Sequence, residues 1–181
     1  TLDRSSAASD VYKRQRVLVS KLGYGDRVAS LTTISTPHRG TFVADVGMNL
    51  LEKDKANDAL SKLFKAFGRT FTTDDLANDA NARAALSALT EKGAPAFNAE
   101  NPDDRRVYYQ SWAGVSNVLA VPNPKDYPAC EGRLETYRQR RDGMDGLLAP
   151  VAAIVAHGTD LLPNDGLSTV ASSKHGTFRG C

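Results

Sequence analysis

The sequence predicts an α/β chain in which helices pack on a parallel sheet. Residues 28–37 are rich in β-branched side chains and stop at a proline, and residues 106–114 combine aromatic and β-branched side chains. Helical patterns precede, separate and follow these two runs, as the layers of a parallel sheet require. The near-continuous apolar and threonine character of 28–37 predicts a strand that is covered on both faces.

The spacing of apolar residues predicts the helices in chain order. Residues 16–22 form the end of a helix that Gly23 closes as a C-cap. Residues 41–92 are mostly helical, with one apolar stripe at i, i+3, i+4 and i+7 formed by Leu60, Leu63, Phe64 and Phe67. A second helix of this segment runs to Leu89 and is closed by Gly93, and a later helix is expected from about 145 to 157.

Two further segments are predicted to be irregular. Pro95 and Pro102, with the polar residues around them, indicate a loop. Three more prolines, at positions 122, 124 and 128, indicate a second irregular stretch that ends near Cys130.

Residues 1–15 are predicted to be a non-native tail, and residues 16–181 the domain. The tail holds few large apolar groups and shows no clean period, and residues 5–15 resemble the adaptor read-through found at the ends of translated metagenomic fragments. The alternative is a frayed helix segment that belongs to the chain. Within the domain, a helical insertion is expected at about 43–93.

The composition excludes several classes of protein. The 23 basic and 21 acidic side chains leave a net charge of +2 without a dense basic stripe, so no nucleic-acid partner is expected. No apolar run is long enough for a transmembrane segment, and no signal peptide is recognisable. The two cysteines can form one disulfide or remain two free thiols. No two of the three histidines have the spacing of metal ligands.

The loop after the first predicted strand, Thr36 to Thr41, is a candidate site because α/β sheets bind ligands at the carboxyl ends of their strands. Thr41 is also suited to cap the next helix. We favour a structural role for this loop, as a connector that His38 and Arg39 fix by hydrogen bonds. A catalytic role for His38 is the less favoured alternative. The chain contains no Gly-x-Ser-x-Gly motif, and the segment that begins at Gly114 lacks the final glycine. The sequence therefore does not predict a serine nucleophile within this chain.

Four segments in order resemble secreted bacterial triacylglycerol lipases of the α/β-hydrolase fold. They are VASLTTISTPHRGTFVAD (28–45), ALSALTEKGAPAFNAENP (85–102), YYQSWAG (108–114) and PNDGLSTV (163–170). The resemblance covers about residues 16–181. It implies a partial α/β-hydrolase parallel sheet with a helical lid-like insertion, and a serine esterase that degrades lipids at the lipid-water interface outside the cell.

The resemblance assigns the triad aspartate to Asp165. The family's nucleophilic serine would precede residue 16 and its histidine would follow Cys181, so we expect this fragment to be inactive. His175 follows Asp165 but lies in a different context, and we interpret it as a surface residue. The resemblance also implies a structural calcium ion with Asp145 as a ligand, and the alternative role of Asp145 is a helix N-cap. Cys130 and Cys181 correspond to the family's single disulfide.

The insertion has two interpretations. Under the resemblance, it includes a lid whose Leu60, Phe64 and Phe67 meet the lipid interface when the lid is open. The alternative function is a non-enzymatic helical module that binds an apolar partner through the same face.

Overall fold

The computed structural model of the chain describes residues 8–52, 80–117, 123–134, 143–144, 146 and 148–181. The first half contains α1 (Ala8–Ser20), β1 (Ser30–Ile34), α2 (Phe42–Glu52), α3 (Ala80–Leu89) and α4 (Gly93–Glu100). The second half contains β2 (Tyr108–Trp112), α5 (Asp126–Ala129), α6 (Ala149–Val155), α7 (Val170–Ser173) and β3 (Thr177–Phe178). Short 3-10 turns lie at Tyr24–Asp26 and Gly158–Asp160.

The three strands form one sheet in the order β1-β2-β3, and both pairs are parallel. The β1–β2 register runs from Ser30 opposite Tyr108 to Ile34 opposite Trp112. This confirms the α/β class and the two strands expected within 28–37 and 106–114. The sequence did not predict β3, because two residues are too short to show a strand period.

Only one face of β1 and β2 is buried, so the prediction of a strand covered on both faces is wrong. Burial alternates along each strand, with Leu31 and Thr33 buried on β1 and Tyr109 and Ser111 on β2. On the other face Ile34 is 68% exposed. The β-branched residues of β1 reflect strand propensity, and propensity does not specify burial on both sides.

Two apolar clusters are part of the described core, beside buried apolar residues of α2, α3 and α6. The first packs α1 on the sheet and contains Val19, Leu31, Val107 and Tyr109, with Val28 at its margin. The second joins the end of β2 to the C-terminal segment and contains Ala113, Cys130, Leu134, Val170 and Phe178. Within the described ranges, no helix is long and apolar enough to cross a membrane.

Helix α1 begins at Ala8, well inside the segment that was predicted to be a tail. Residues 8–15 are therefore helical, as the alternative interpretation expected. The claim that they are not native stays a prediction. The chain turns at Gly23, whose φ of 73° is a left-handed conformation that glycine adopts without a steric penalty. Leu22 donates its amide to the Val17 carbonyl at 3.1 Å, which closes the helix end as the C-cap prediction requires.

The loop that Pro95 was expected to form is a helix, α4 (Gly93–Glu100). Pro95 is its third residue, and the first turn of a helix tolerates proline because its N–H groups have no intrahelical partner. Gly93 therefore begins a helix in addition to following α3. A Cβ at Gly93 would lie 2.1 Å from the Ser87 carbonyl oxygen, so the tight connection of α3 to α4 requires glycine.

The middle of the predicted insertion, including Leu60, Leu63, Phe64 and Phe67, lies outside the described residues. Its ends are α2 and α3, which contact each other. The lid and the alternative binding face therefore stay predictions. The helix expected at about 145–157 is confirmed as the shorter α6.

Cys130 and Cys181 form a disulfide, as the resemblance implied, with 51 positions between them. The bond fastens the C-terminal end to the turn after α5, where Cys181 N also donates to the Arg133 carbonyl at 3.3 Å. Cys130 is fully buried.

Removal of this disulfide should lower stability strongly. Closing a loop of this length is worth about 4 kcal/mol in the chain-entropy description, so the Cys130→Ala, Cys181→Ala double variant should lose about that free energy of unfolding. Urea titration followed by tryptophan fluorescence measures it, and the reduced wild-type chain should show the same loss. Equal midpoints for the oxidised and reduced chain would contradict the assignment.

Candidate functional site

Asp165 lies where β1 and β2 end. Ser35 follows β1 and Gly114 follows β2, and a Cβ built on Gly114 would lie 2.8 Å from Ser35 Oγ and 3.0 Å from Asp165 Cβ. Ser116 N donates to the Asn164 carbonyl at 3.0 Å, which joins the segment after β2 to the Asp165 turn. The structure therefore brings the predicted aspartate to the carboxyl edge of the sheet, where α/β proteins place their sites.

The carboxylate of Asp165 is held by its own turn. Its Oδ1 accepts the backbone N–H groups of Leu167 at 2.9 Å and Ser168 at 2.8 Å. Gly166 N donates to Asn164 Oδ1 at 2.8 Å, and the φ of 96° at Gly166 explains the glycine. Asp165 is half-buried. One carboxylate oxygen, Oδ1, is thus fixed by two backbone amides of the turn.

The loop after β1 supports the Asp165 turn. Thr41 Oγ1 donates to the Leu167 carbonyl at 2.7 Å, and Val43 N donates to Thr41 Oγ1 at 3.4 Å, so Thr41 both caps α2 and ties the two loops. Ser172 Oγ donates to the Gly40 carbonyl at 2.5 Å. These contacts join segments that are more than 120 residues apart in sequence and fix the turn that carries the aspartate.

His38 has the connector role that the sequence favoured. Its side chain is 3% exposed, and its Nε2 lies 2.8 Å from Thr33 Oγ1. The His38 carbonyl accepts Asn98 Nδ2 at 2.8 Å, which fastens the loop to α4. Burial, with the charges of nearby residues, lowers the pKa of His38 to about 2, so the imidazole is neutral at physiological pH.

Sequence reasoning missed Arg16, which organises the contact of α1 with α4. The guanidinium is 3% exposed, donates to Asn98 Oδ1 and to the Asn101 carbonyl, and pairs with Asp103 at 3.1 Å. Its carbon also lies 5.9 Å from the centre of the Phe97 ring. No local signal marks a helical arginine as buried, because its partners come from a segment about 85 residues away.

His175 was interpreted as a surface residue, and this interpretation is wrong. Its ring stacks on His38 with centroids 4.5 Å apart, and its side chain is 19% exposed. Its Nε2 lies 3.0 Å from Asp103 Oδ2, and its backbone N donates to Ser111 Oγ at 2.9 Å. Burial lowers the pKa of His175 as well. The pair of histidines is invisible in the sequence because 137 positions separate its members.

An apolar cavity of about 300 Å³ opens beside the Asp165 turn. Its wall includes residues beside the turn, residues of α6 and residues before and after that helix: Ser116, Asn164, Met144, Ala152, Leu161 and Leu162. The cavity is large enough for a short aliphatic chain.

The predicted calcium ligand Asp145 lies outside the described residues. Within the parts of the chain that are described, no three His, Cys, Asp or Glu side chains come together in a group that could hold a metal ion. The calcium site therefore stays a prediction from the resemblance, and no catalytic step is derived through it.

No family model matches the sequence. Among solved structures, the crystal structure of Staphylococcus hyicus lipase matches with a TM-score of 0.48 and 21% sequence identity, over 84% of this chain and 46% of that chain. The chain thus spans about half the length of the staphylococcal lipase to which it is similar.

Proposed function

We propose that the chain is part of a carboxylic-ester hydrolase that acts on lipids through a Ser-His-Asp triad, with Asp165 as the acid. The observation that carries the proposal is the fixed carboxylate at the carboxyl edge of a parallel sheet, in an Asn-Asp-Gly turn. The four ordered segments that resemble secreted triacylglycerol lipases support the same assignment.

The proposed role of Asp165 follows from its hydrogen bonds. Because Oδ1 is occupied by two backbone amides, Oδ2 is the atom that would accept the N–H of a catalytic imidazole. This bond would hold the imidazole in the tautomer that takes the serine proton and would stabilise the imidazolium that forms. The serine and the histidine would come from sequence outside the 181 residues, so the chain by itself is proposed to be inactive.

The apolar cavity beside the turn would take part of the acyl chain in this proposal. The cavity is lined by Asn164, which precedes the aspartate, and by Ser116, which lies in the segment after β2. An acyl group placed there would therefore keep its ester carbon near the triad. A lid formed by the insertion and a calcium ion bound through Asp145 belong to the same proposal by resemblance. The disulfide fits a protein that works outside the cytosol.

The test is to extend the gene in both directions and assay the product. We expect an in-frame Gly-x-Ser-x-Gly segment upstream and a histidine segment downstream, and hydrolysis of p-nitrophenyl butyrate by the extended protein. The 181-residue chain should show no turnover above buffer, since the oxyanion hole and nucleophile are proposed to lie upstream. A start and a stop codon at the ends of the present sequence, or an inactive extended protein that is folded, would refute the proposal.

A further inference from the structure

A second, polar cavity of about 300 Å³ lies between the loop after β1, helix α4, the turn after α5 and the segment that leads into β3. The two stacked histidines line it together with Asn98, Gly176 and Phe178. This cavity and the apolar cavity beside Asp165 have no lining residue in common. A cavity of this size fits a small molecule.

The charged residues of this cavity are Arg39, Lys174 and Glu131. Lys174 Nζ pairs with Glu131 Oε1 at 2.8 Å, which compensates one cation. Arg39 is exposed, and among the residues that the structure describes its guanidinium makes no ion pair. Burial is the main cause that lowers the pKa of both His38 and His175, and the charge of Arg39 makes a smaller contribution in the same direction.

The remaining charges beside the cavity are already balanced. Asp103 accepts from His175 and also pairs with the buried Arg16 at 3.1 Å, so the charge of this carboxylate is already compensated. The histidines themselves are neutral near pH 7, because burial lowers the pKa of each. The cavity therefore carries two cations against one carboxylate, with Arg39 as the uncompensated charge.

We infer that this cavity is a binding site for a small oxyanion, with Arg39 as its main charged donor. The planar fork of a guanidinium matches the two oxygens of a carboxylate or a phosphate, and Lys174 adds N–H donors at the same wall. Glu131 competes with the anion for Lys174. The imidazoles and Phe178 line the same cavity, and Lys174 Nζ lies over the Phe178 ring, 4.5 Å from its centre. The inference does not depend on ester hydrolysis.

The test titrates the 181-residue chain at about pH 7 with sodium acetate or sodium phosphate at constant ionic strength. The readout is the NMR signal of each imidazole. Signals of His38 and His175 should shift in a saturable way with at least one anion, while His157, which packs on Phe42 elsewhere, should not. Tighter binding of acetate would assign a carboxylate ligand, and tighter binding of phosphate would assign a phosphate group.

Three variants separate this site from general anion effects. Arg39→Gln should weaken binding about tenfold, since one charge-assisted hydrogen bond is lost. Glu131→Gln should tighten binding severalfold, because Lys174 is released from its partner. Arg27→Gln removes the same charge beside Tyr24 and should change nothing. Unsaturable shifts with both anions, or equal effects of Arg39→Gln and Arg27→Gln, or no gain in Glu131→Gln would overturn the inference.

Discussion

The Asp165→Asn variant of the extended protein should hydrolyse esters about ten-thousandfold more slowly than wild type while the fold is kept. The two amides of Leu167 and Ser168 require an acceptor at Oδ1, so the asparagine oxygen would take that place. Its NH₂ group would then replace Oδ2 and present a donor to the imidazole. A donor there favours the wrong tautomer of the histidine, which can no longer remove the serine proton.

The matched control is Asp160→Asn. Asp160 is exposed at the end of a 3-10 turn only five positions earlier, so this variant removes the same charge from the same region. We expect its kcat/KM for p-nitrophenyl butyrate to stay within about twofold of wild type, because an exposed surface substitution is usually neutral. A folded Asp165→Asn enzyme with near-normal turnover would remove Asp165 from the triad and leave the acid to be sought elsewhere.

Local sequence pattern was sufficient for the parts of the fold that local physics determines. The β-branched run of β1 and the aromatic run of β2 predicted both strands, and Gly23 adopts the left-handed conformation that a C-cap needs. The Asn-Asp-Gly turn was likewise readable, since Gly166 has a positive φ and Asn164 closes the turn with its side chain. The choice of Asp165 as the triad aspartate came from the resemblance to the lipases, and its catalytic role stays a proposal.

The remaining features depend on contacts between distant segments, which no local pattern encodes. Arg16 is buried because α4 supplies Asn98 and the Asn101 carbonyl, and His175 is stacked because the loop after β1 brings His38 to it. Pro95 was misread because its effect depends on helix position, which the sequence alone did not fix. The polar cavity arises from the same long-range packing, so it could not be predicted from composition or motif.

The stacked histidines should make the folded chain sensitive to acid. Burial lowers the pKa of His38 from 6.5 to about 2, and burial lowers the pKa of His175 in the same direction. Below pH 6.5 the unfolded chain binds a proton at His38 that the folded chain excludes, and the lowered pKa of His175 acts in the same direction. The stability that the neutral His38 contributes is therefore complete above pH 6.5 and declines as the pH falls toward 2, by about 1.4 kcal/mol per pH unit.

Among the other groups with a shifted pKa, Asp126 acts in the opposite direction. Burial raises the pKa of Asp126, so this carboxyl takes up a proton more readily in the folded chain and opposes the loss as the pH falls. Asp103 favours the charged form of His175, whereas Arg16 and Arg39 disfavour it. From pH 6 to pH 4.5, the slope of the unfolding free energy against pH should still correspond to the uptake of about one proton on unfolding. The reason is that the pKa shift of His38 is larger than the shifts of the other groups.

Urea unfolding at pH 7, 6, 5 and 4.5 measures this slope, and His38→Gln identifies its source. In that variant the free energy of unfolding should be lower at pH 7 but should depend less on pH, since one titrating group is gone. His157→Gln is the control: this imidazole contacts Glu91 at 3.0 Å, away from the stacked pair, and its removal should leave the contribution of His38 in place. An NMR titration of the wild-type chain gives a second readout that needs no variant. A His38 signal that titrates with a midpoint near 6.5 in the folded chain would show that the imidazole accepts its proton without unfolding, and the neutral connector would be wrong.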